Sequence, residues 1–258
     1  MKKVFVLACL GALFLLLVGP LLWVLYTSLT DFHGGLTLAN YAGAWKDANI
    51  SRYLVNSIVV TGLTVLLNLF LCSLFAYPMA IMDFKGRKAL YAVLLSTFFV
   101  PWEMTFVPLF DICVKLGLDN SLWGVVLPSC VNAMSVFFLV DAFKNIPKSL
   151  FESARMDGLS EFSIWRKVAM PLIRPSLAGL AIINFVSSWS LFMWPLIILR
   201  ESDKYTLTVG LSYLSGLFSA NLKFLAAGSV IACLPSVILF LALQKHFISG
   251  LVKGAVKG

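Results

Sequence analysis

The chain has 258 residues, of which 60% are apolar and only 12% charged, and its mean hydropathy is +0.93. Soluble domains carry about 25% charged residues, so this composition excludes an ordinary water-soluble domain. The formal net charge of +8 follows from membrane topology and anionic lipid, as the placement of the basic residues indicates below, and requires no nucleic acid partner.

Runs free of Asp, Glu, Lys and Arg cover Val4 to Thr30, Tyr53 to Met82, Ser121 to Val140, Pro175 to Leu199 and Phe224 to Gln244, and Glu103 alone interrupts a sixth from Ala89 to Phe110. A helix needs about 20 apolar residues to cross the hydrocarbon core. In lipid, backbone groups must be satisfied within the segment, which selects helices over open strands. The predicted fold is therefore all-α, a polytopic membrane protein with six spans near 4–30, 54–82, 89–110, 121–141, 175–199 and 224–244. The first resembles a secretory signal in having Lys2 and Lys3 before it. Its apolar stretch exceeds the usual h-region and no small-residue cleavage site follows, so it reads as a retained span.

Six spans place fourteen of the twenty Lys and Arg residues on the side of both termini and six on the other. The positive-inside rule then puts both termini and the loop 142–174 in the cytoplasm. Outside lie the loop from Asp31 to Arg52, with Gly34-Gly35 as a turn, and the short loop from Asp111 to Asn120. A further external segment, Thr206 to Phe218, is apolar but too short to span. The link from Asp83 to Lys88 is a tight cytoplasmic turn. No repeat or low-complexity linker divides the chain, so 1–258 is one membrane domain.

The loop 142–174 reads as two short helices. Pro147 suits a first helical turn, whereas Ser149 and Glu152 have the spacing of a capping box that starts the helix slightly later. Leu150 and Ala154 share one face, with Phe151 beside them. Asp157-Gly158 stops this helix, because Gly accepts the left-handed conformation that ends helices. Ser160 caps a second helix whose Phe162, Trp165 and Ala169 share a face, and Pro171 and Pro175 close it. The expected product is an apolar knob in the cytoplasm that nothing in the chain covers. The alternative is a solvated loop in which Glu152 and Arg155 form an ordinary i, i+3 pair.

Little else in the chain carries chemistry. The five cysteines show no CxxC spacing and the two histidines lie at opposite ends of the chain, so neither a disulfide framework nor a metal site is expected. No Gly-Lys dipeptide occurs, so a phosphate-cradling GxxxxGK[ST] loop is ruled out. No nucleophile–base set is present, and no enzyme activity is expected. Glu103 is the one ionisable residue well inside a predicted span, and such residues default to a functional hypothesis. Span five adds Asn184, Ser187, Ser188, Trp189 and Ser190, a mixture of aromatic and hydroxyl groups that suits a sugar. The same residue types also serve as interface anchors and in close helix packing.

Glu152-Ser153-Ala154, Asp157-Gly158 and the later Pro171 resemble the EAA loop of bacterial ABC importer permeases, departing at Ser153 for an Ala and at Met170 for a Leu. The resemblance runs through Asn56-Ser57, Pro101, Pro108-Leu109, Leu116-Gly117-Leu118, Ile146-Pro147, Trp194-Pro195-Leu196 and the tail from Gly250 to Gly258. As an ordered set these are similar to carbohydrate-importer permeases of the maltose and glycerol-phosphate kind, in particular the shorter partner subunit. This resemblance implies a coupling helix seated on a separate ATPase dimer, with Glu152, Ser153, Ala154, Asp157, Gly158 and Pro171 as coupling residues and the tail 245–258 against the ATPases. It also implies a second permease, an extracytoplasmic solute-binding protein, residence in the bacterial inner membrane, and no cofactor on this chain, ATP and Mg lying on the ATPase. Glu103, Asn184, Ser188, Trp189 and Ser190 are the expected substrate path, although Trp189-Ser190-Leu191 departs from the family's Trp-Asn-acidic pattern. The substrate stays open among oligosaccharide, monosaccharide, polyol and glycerol phosphate. A stand-alone secondary transporter or channel, or a structural or insertion factor, remains as the alternative class.

Overall fold

The computed structural model describes the backbone of residues 2–47, 49–217 and 222–255, and the side chains of 6, 7, 9–46, 49–214 and 222–242. The described residues form helices throughout and no strand, apart from an isolated bridge between Thr30 and Leu36. In chain order the α-helices are α1 (Lys2–Ser28), α2 (Ala39–Asp47), α3 (Ile50–Ile81), α4 (Arg87–Ser96), α5 (Phe106–Lys115), α6 (Leu122–Ser129), α7 (Ala133–Lys144) and α8 (Lys148–Met156). Then follow α9 (Glu161–Ile164), α10 (Met170–Leu172), α11 (Arg174–Trp189), α12 (Met193–Ile198), α13 (Leu207–Leu217) and α14 (Leu222–Ala255). Of the expected tail, the backbone stays helical through Ala255, and 256–258 lie outside the described residues.

Three helical stretches are long and apolar enough to cross a membrane by themselves: Cys9–Ser28, Ile50–Ile81 and Leu222–Ala242. The other predicted spans are broken. Arg87–Phe99 and Trp102–Lys115 meet at 100° and Leu122–Ser129 and Ala133–Lys144 at 45°, while Glu161–Leu172 and Arg174–Trp189 meet at 80° at Ile173, within the expected loop and ahead of the predicted span 175–199. Counting each bent pair as one crossing brings the number to six. The expectation of unbroken helices over 89–110, 121–141 and 175–199 is thus corrected: the first breaks at Val100-Pro101, the second at Cys130–Asn132 and the third at Ser190–Phe192. Proline is one cause. Pro101 has no N–H to continue a helix and restrains Val100 to the extended backbone seen there, φ −97° and ψ 109°.

The chain divides into two compact units, Met1–Asn56 with Tyr205–Val237 and Ser57–Lys204 with Ile238–Gly258. In the first, a polar clasp follows α1. Asn40 Nδ2 donates to the carbonyls of Ser28 and Thr30 at 2.9 and 3.0 Å, and Ser28 Oγ lies 2.8 Å from the Tyr41 hydroxyl. Lys223 Nζ donates to the carbonyls of Thr30 and Asp31 and stands 5.2 Å over the Phe32 ring. The Gly34-Gly35 turn is closed by Asp31 Oδ1, which accepts the N–H groups of His33 and Gly35 at 2.8 and 2.7 Å. Tyr205 and Tyr213 stack at 4.7 Å, and Asn56 Nδ2 donates to the Tyr205 carbonyl at 3.0 Å.

The second unit holds the larger core. Val136, Leu139, Val140 and Phe143 recur at i, i+3, i+4 and i+7 on α7, and all four are buried. They pack with Cys72, Ala76, Tyr77 and Met79 of α3 and with Phe151, Ala154, Ile164, Trp165 and Ala169 of the central loop. Tyr77 meets Phe143 and Phe151 edge-on at 5.8 and 6.1 Å. Elsewhere in this unit, Asn120 sits at positive φ and accepts the N–H groups of Arg200 and Glu201 on Oδ1 at 3.0 and 3.2 Å. The tight turn at 83–88 is locked by Arg87, whose guanidinium donates to Asp83 Oδ1 at 2.8 Å.

Candidate functional site

The central loop folds as α8, a left-handed turn, and α9 running into a π-helical turn at Trp165–Ala169. Pro147 is the residue before α8, and no side chain caps that end, so the capping box expected from Ser149 and Glu152 does not form. Ser149 already lies inside the first turn, where its carbonyl accepts from Ser153 Oγ at 2.9 Å. The far end of α8 closes as expected. Gly158 has φ +77°, Leu159 N donates to the Ala154 carbonyl at 3.2 Å and Gly158 N to the Arg155 carbonyl at 3.0 Å. These two bonds are the pair of a Schellman motif, and Leu159 adds the apolar contact that accompanies it. Ser160 then caps α9 by accepting from Ser163 N.

The face that α8 presents differs from expectation. Phe151 and Ala154 point into the core, 1% and 6% exposed, so Ala154 belongs to the packed side and not to an uncovered knob. The exposed side carries Glu152, Ser153, Arg155 and Asp157 together with Leu150 and Met156, and Phe162 of α9 is exposed as well. Glu152 does not pair with Arg155. Arg155 Nε donates instead to Glu161 Oε1 at 2.7 Å, and Glu161 Oε2 accepts the Tyr77 hydroxyl at 2.7 Å. The Glu161 carboxylate beside it holds the Arg155 guanidinium above its ordinary pKa. Glu161 therefore ties α8 to α3, a link between residues far apart in sequence. Pro171 is half-buried within the continuing helix. Lacking an N–H, it cannot bond the Lys167 carbonyl, and the wider π-helical turn lies immediately before it.

Removing this link has a defined consequence. Tyr77→Phe leaves the aromatic packing in place and deletes the hydroxyl from a charge-assisted bond worth about 1.5–3 kcal/mol at most. The exposed Arg155–Glu161 pair contributes about 1 kcal/mol or less. Tyr77→Phe is expected to lower the thermal midpoint of the detergent-purified protein by a few degrees, and Glu161→Leu by more, since it orphans both partners.

A second constellation lies at the chain breaks of the larger unit. A cleft of about 170 Å³ is lined by Thr64 of α3, Trp102, Pro128, Ser129, Val131, Asn132, and Asn184, Ser187, Ser188 and Leu191. Behind it, Asn184 Nδ2 donates to Asn68 Oδ1 at 2.8 Å and to Ser135 Oγ at 3.2 Å, and Asn184 Oδ1 lies 3.5 Å from Asn132 Nδ2. Asn132 also caps α7 by accepting Ser135 N at 2.8 Å. Of the residues expected on the substrate path, Asn184 and Ser188 line this cleft. Trp189 is buried and stacks on Phe185 at 5.7 Å, Ser190 Oγ turns back to the Val186 carbonyl, and exposed Glu103 is not among the lining residues. Thr64, Asn68, Asn132 and Ser135 were not singled out by sequence. Their one legible signal is an amide or hydroxyl within an otherwise apolar run, as Asn68 is in the run from Tyr53 to Met82.

The chain as a whole is similar to known proteins. Residues 16–253 match the family model described as binding-protein-dependent transport system inner membrane component. The arabinooligosaccharides transport system permease protein AraQ of Bacillus subtilis is 40% identical over 224 residues, covering 86% of this chain and 80% of its own. The melibiose/raffinose/stachyose import permease protein MelC of the same organism is 35% identical, covering 90% and 86%. In fold, the chain superposes on a chain of a bacterial ABC transporter for the acidic polysaccharide alginate with a TM-score of 0.84 at 23% identity, over 95% and 96% of the two chains. The chain belongs to the family of binding-protein-dependent transport system inner membrane components, the permeases of ABC importers.

Proposed function

We propose that this chain is one of two permease subunits of an ATP-driven sugar importer, and that α8 couples it to a separate ATPase pair. The observation that carries the reading is the construction of the central loop. One side of α8 is anchored by Phe151, Ala154 and the Glu161–Tyr77 bond, while Glu152, Leu150 and Met156 stay exposed on the other. A helix held this firmly transmits a push as a rigid body, which a solvated loop does not. The sugar-transport names of AraQ and MelC support a carbohydrate cargo. A solved relative of this fold is an alginate ABC transporter in complex with an alginate-bound periplasmic protein, which supports a solute-binding protein as partner. ATP and Mg would reside on the ATPase, and the helical tail through Ala255 would lie near it.

The test is co-purification of the ATPase with the chain, alongside uptake in vesicles. Recovery of an ATPase and a second permease is expected, and Glu152→Ala should weaken ATPase recovery without affecting insertion. A self-sufficient homo-oligomer that transports would overturn the importer reading in favour of a stand-alone transporter. Orientation is checked separately, with Cys9 and Cys233 replaced by Ser because both are exposed. Ser160→Cys should then label only from the cytoplasm and Lys204→Cys only from outside; reversed labelling would sink the six-span topology.

A further inference from the structure

We infer that the cleft at the chain breaks is a subsite for a single uncharged glycosyl ring of the transported chain, an assignment that rests on the sugar-importer reading. Three interruptions of predicted spans converge on it. Trp102 follows the Val100-Pro101 break, Ser129 and Asn132 flank the break between α6 and α7, and Leu191 lies in the break after α11. Irregular backbone at membrane depth persists only where it is buried in protein or lines a cavity.

Three hydroxyls of the lining residues, enclosed just beneath the wall of the cleft, are incompletely used. Thr64, 4% exposed, has an Oγ1 with no hydrogen-bonding partner among the described residues, and the same holds for Ser129 Oγ and Ser188 Oγ. Buried hydroxyls in an apolar setting cost free energy unless they are paired, and three of them around one cleft match a ligand rich in hydroxyls. Trp102 and Leu191 supply apolar wall for the CH faces of a sugar ring. A cleft of about 170 Å³ falls below the roughly 300–1,000 Å³ of pockets for drug-sized ligands, a size that suits one ring of a longer chain.

The lining also decides charge. None of its residues is ionisable, so a uronate or sulfonate would lose hydration here with no Lys or Arg to offset the loss. The site therefore favours neutral sugars over acidic ones of equal length.

The experiment uses the complex purified with its own partner chains and reconstituted in vesicles, with raffinose, arabinotriose and trigalacturonate as labelled probes. Wild type is expected to take up a neutral trisaccharide and to bind it, without the solute-binding protein, more tightly than trigalacturonate. Thr64→Val and Ser188→Ala should each lower sugar moved per ATP hydrolysed by about three- to ten-fold, with stimulated ATP hydrolysis within about two-fold of wild type. Ser188→Ala carries the test should Thr64→Val fail to fold. Uptake per ATP unchanged in both, or uptake and hydrolysis falling together, overturns the subsite, as does equal or tighter binding of trigalacturonate. Uptake of none of the three probes by wild type overturns the importer reading itself.

Discussion

Trp194→Ala is expected to destabilise the larger unit by about 3–5 kcal/mol, the largest effect of any single substitution considered. Trp194 is fully buried, tilts against Phe106 at 5.9 Å, and donates its Nε1–H to the Gly124 carbonyl at 3.0 Å. That carbonyl needs an outside donor. Its partner in an uninterrupted helix would be the N–H of residue 128, which is proline and has none. Trp194 thus completes the α6 hydrogen-bonding that Pro128 leaves open. Trp194→Phe keeps most of the packing but strands the carbonyl, for a loss of about 1–3 kcal/mol. Gly124→Ala attacks the same joint from the other side, because a Cβ there would lie 2.2 Å from the Leu118 carbonyl oxygen, a backbone atom that cannot swing aside. Thermal unfolding in detergent should rank Trp194→Ala as more damaging than Trp194→Phe. A wild-type midpoint for Trp194→Ala would mean that α12 does not brace α6.

Gly158→Val is expected to abolish coupling while leaving membrane insertion intact. At φ +77°, a non-glycine residue costs roughly 1–2 kcal/mol, and a β-branched one suits this region least. Crowding has no part in it, since an added Cβ meets nothing within 4 Å. The damage is to the backbone: relaxing φ removes the Leu159-to-Ala154 and Gly158-to-Arg155 bonds that end α8, and re-aims the exposed face carrying Glu152 and Met156. Gly158→Asn should lose less, because Asn tolerates the left-handed region. ATPase co-purification and vesicle uptake should therefore fall in the order wild type, Gly158→Asn, Gly158→Val. If Val matches wild type in both, the shape of this turn does not matter to coupling.

The legible parts of the chain are those governed by local composition. Long charge-free runs announce helices in an apolar solvent, because the backbone there can be satisfied only within the segment. Gly158 announces a helix end and Ser160 a cap, because both depend on bonds spanning a few residues. The breaks were not read from the sequence, although Pro101 stands at the first of them and Pro128 lies two residues before the second.

What tertiary structure alone decided is which side of each element faces inward and which polar groups meet. Leu150 with Ala154 and Phe151 with Ala154 are both acceptable helical spacings. The second prevails because Tyr77 and Phe143, from distant helices, form the aromatic wall that Phe151 completes. Arg155 had Glu152 one turn away, yet it binds Glu161, whose carboxylate is already fixed by the Tyr77 hydroxyl. Asn68, Asn132, Ser135 and Asn184 come from three helices and the break before one of them. Each is an isolated polar residue in the sequence. Packing removes their other partners and leaves them to one another, since a buried amide left unpaired costs more than the bond itself contributes, although Asn68 Nδ2 keeps no partner among the described residues.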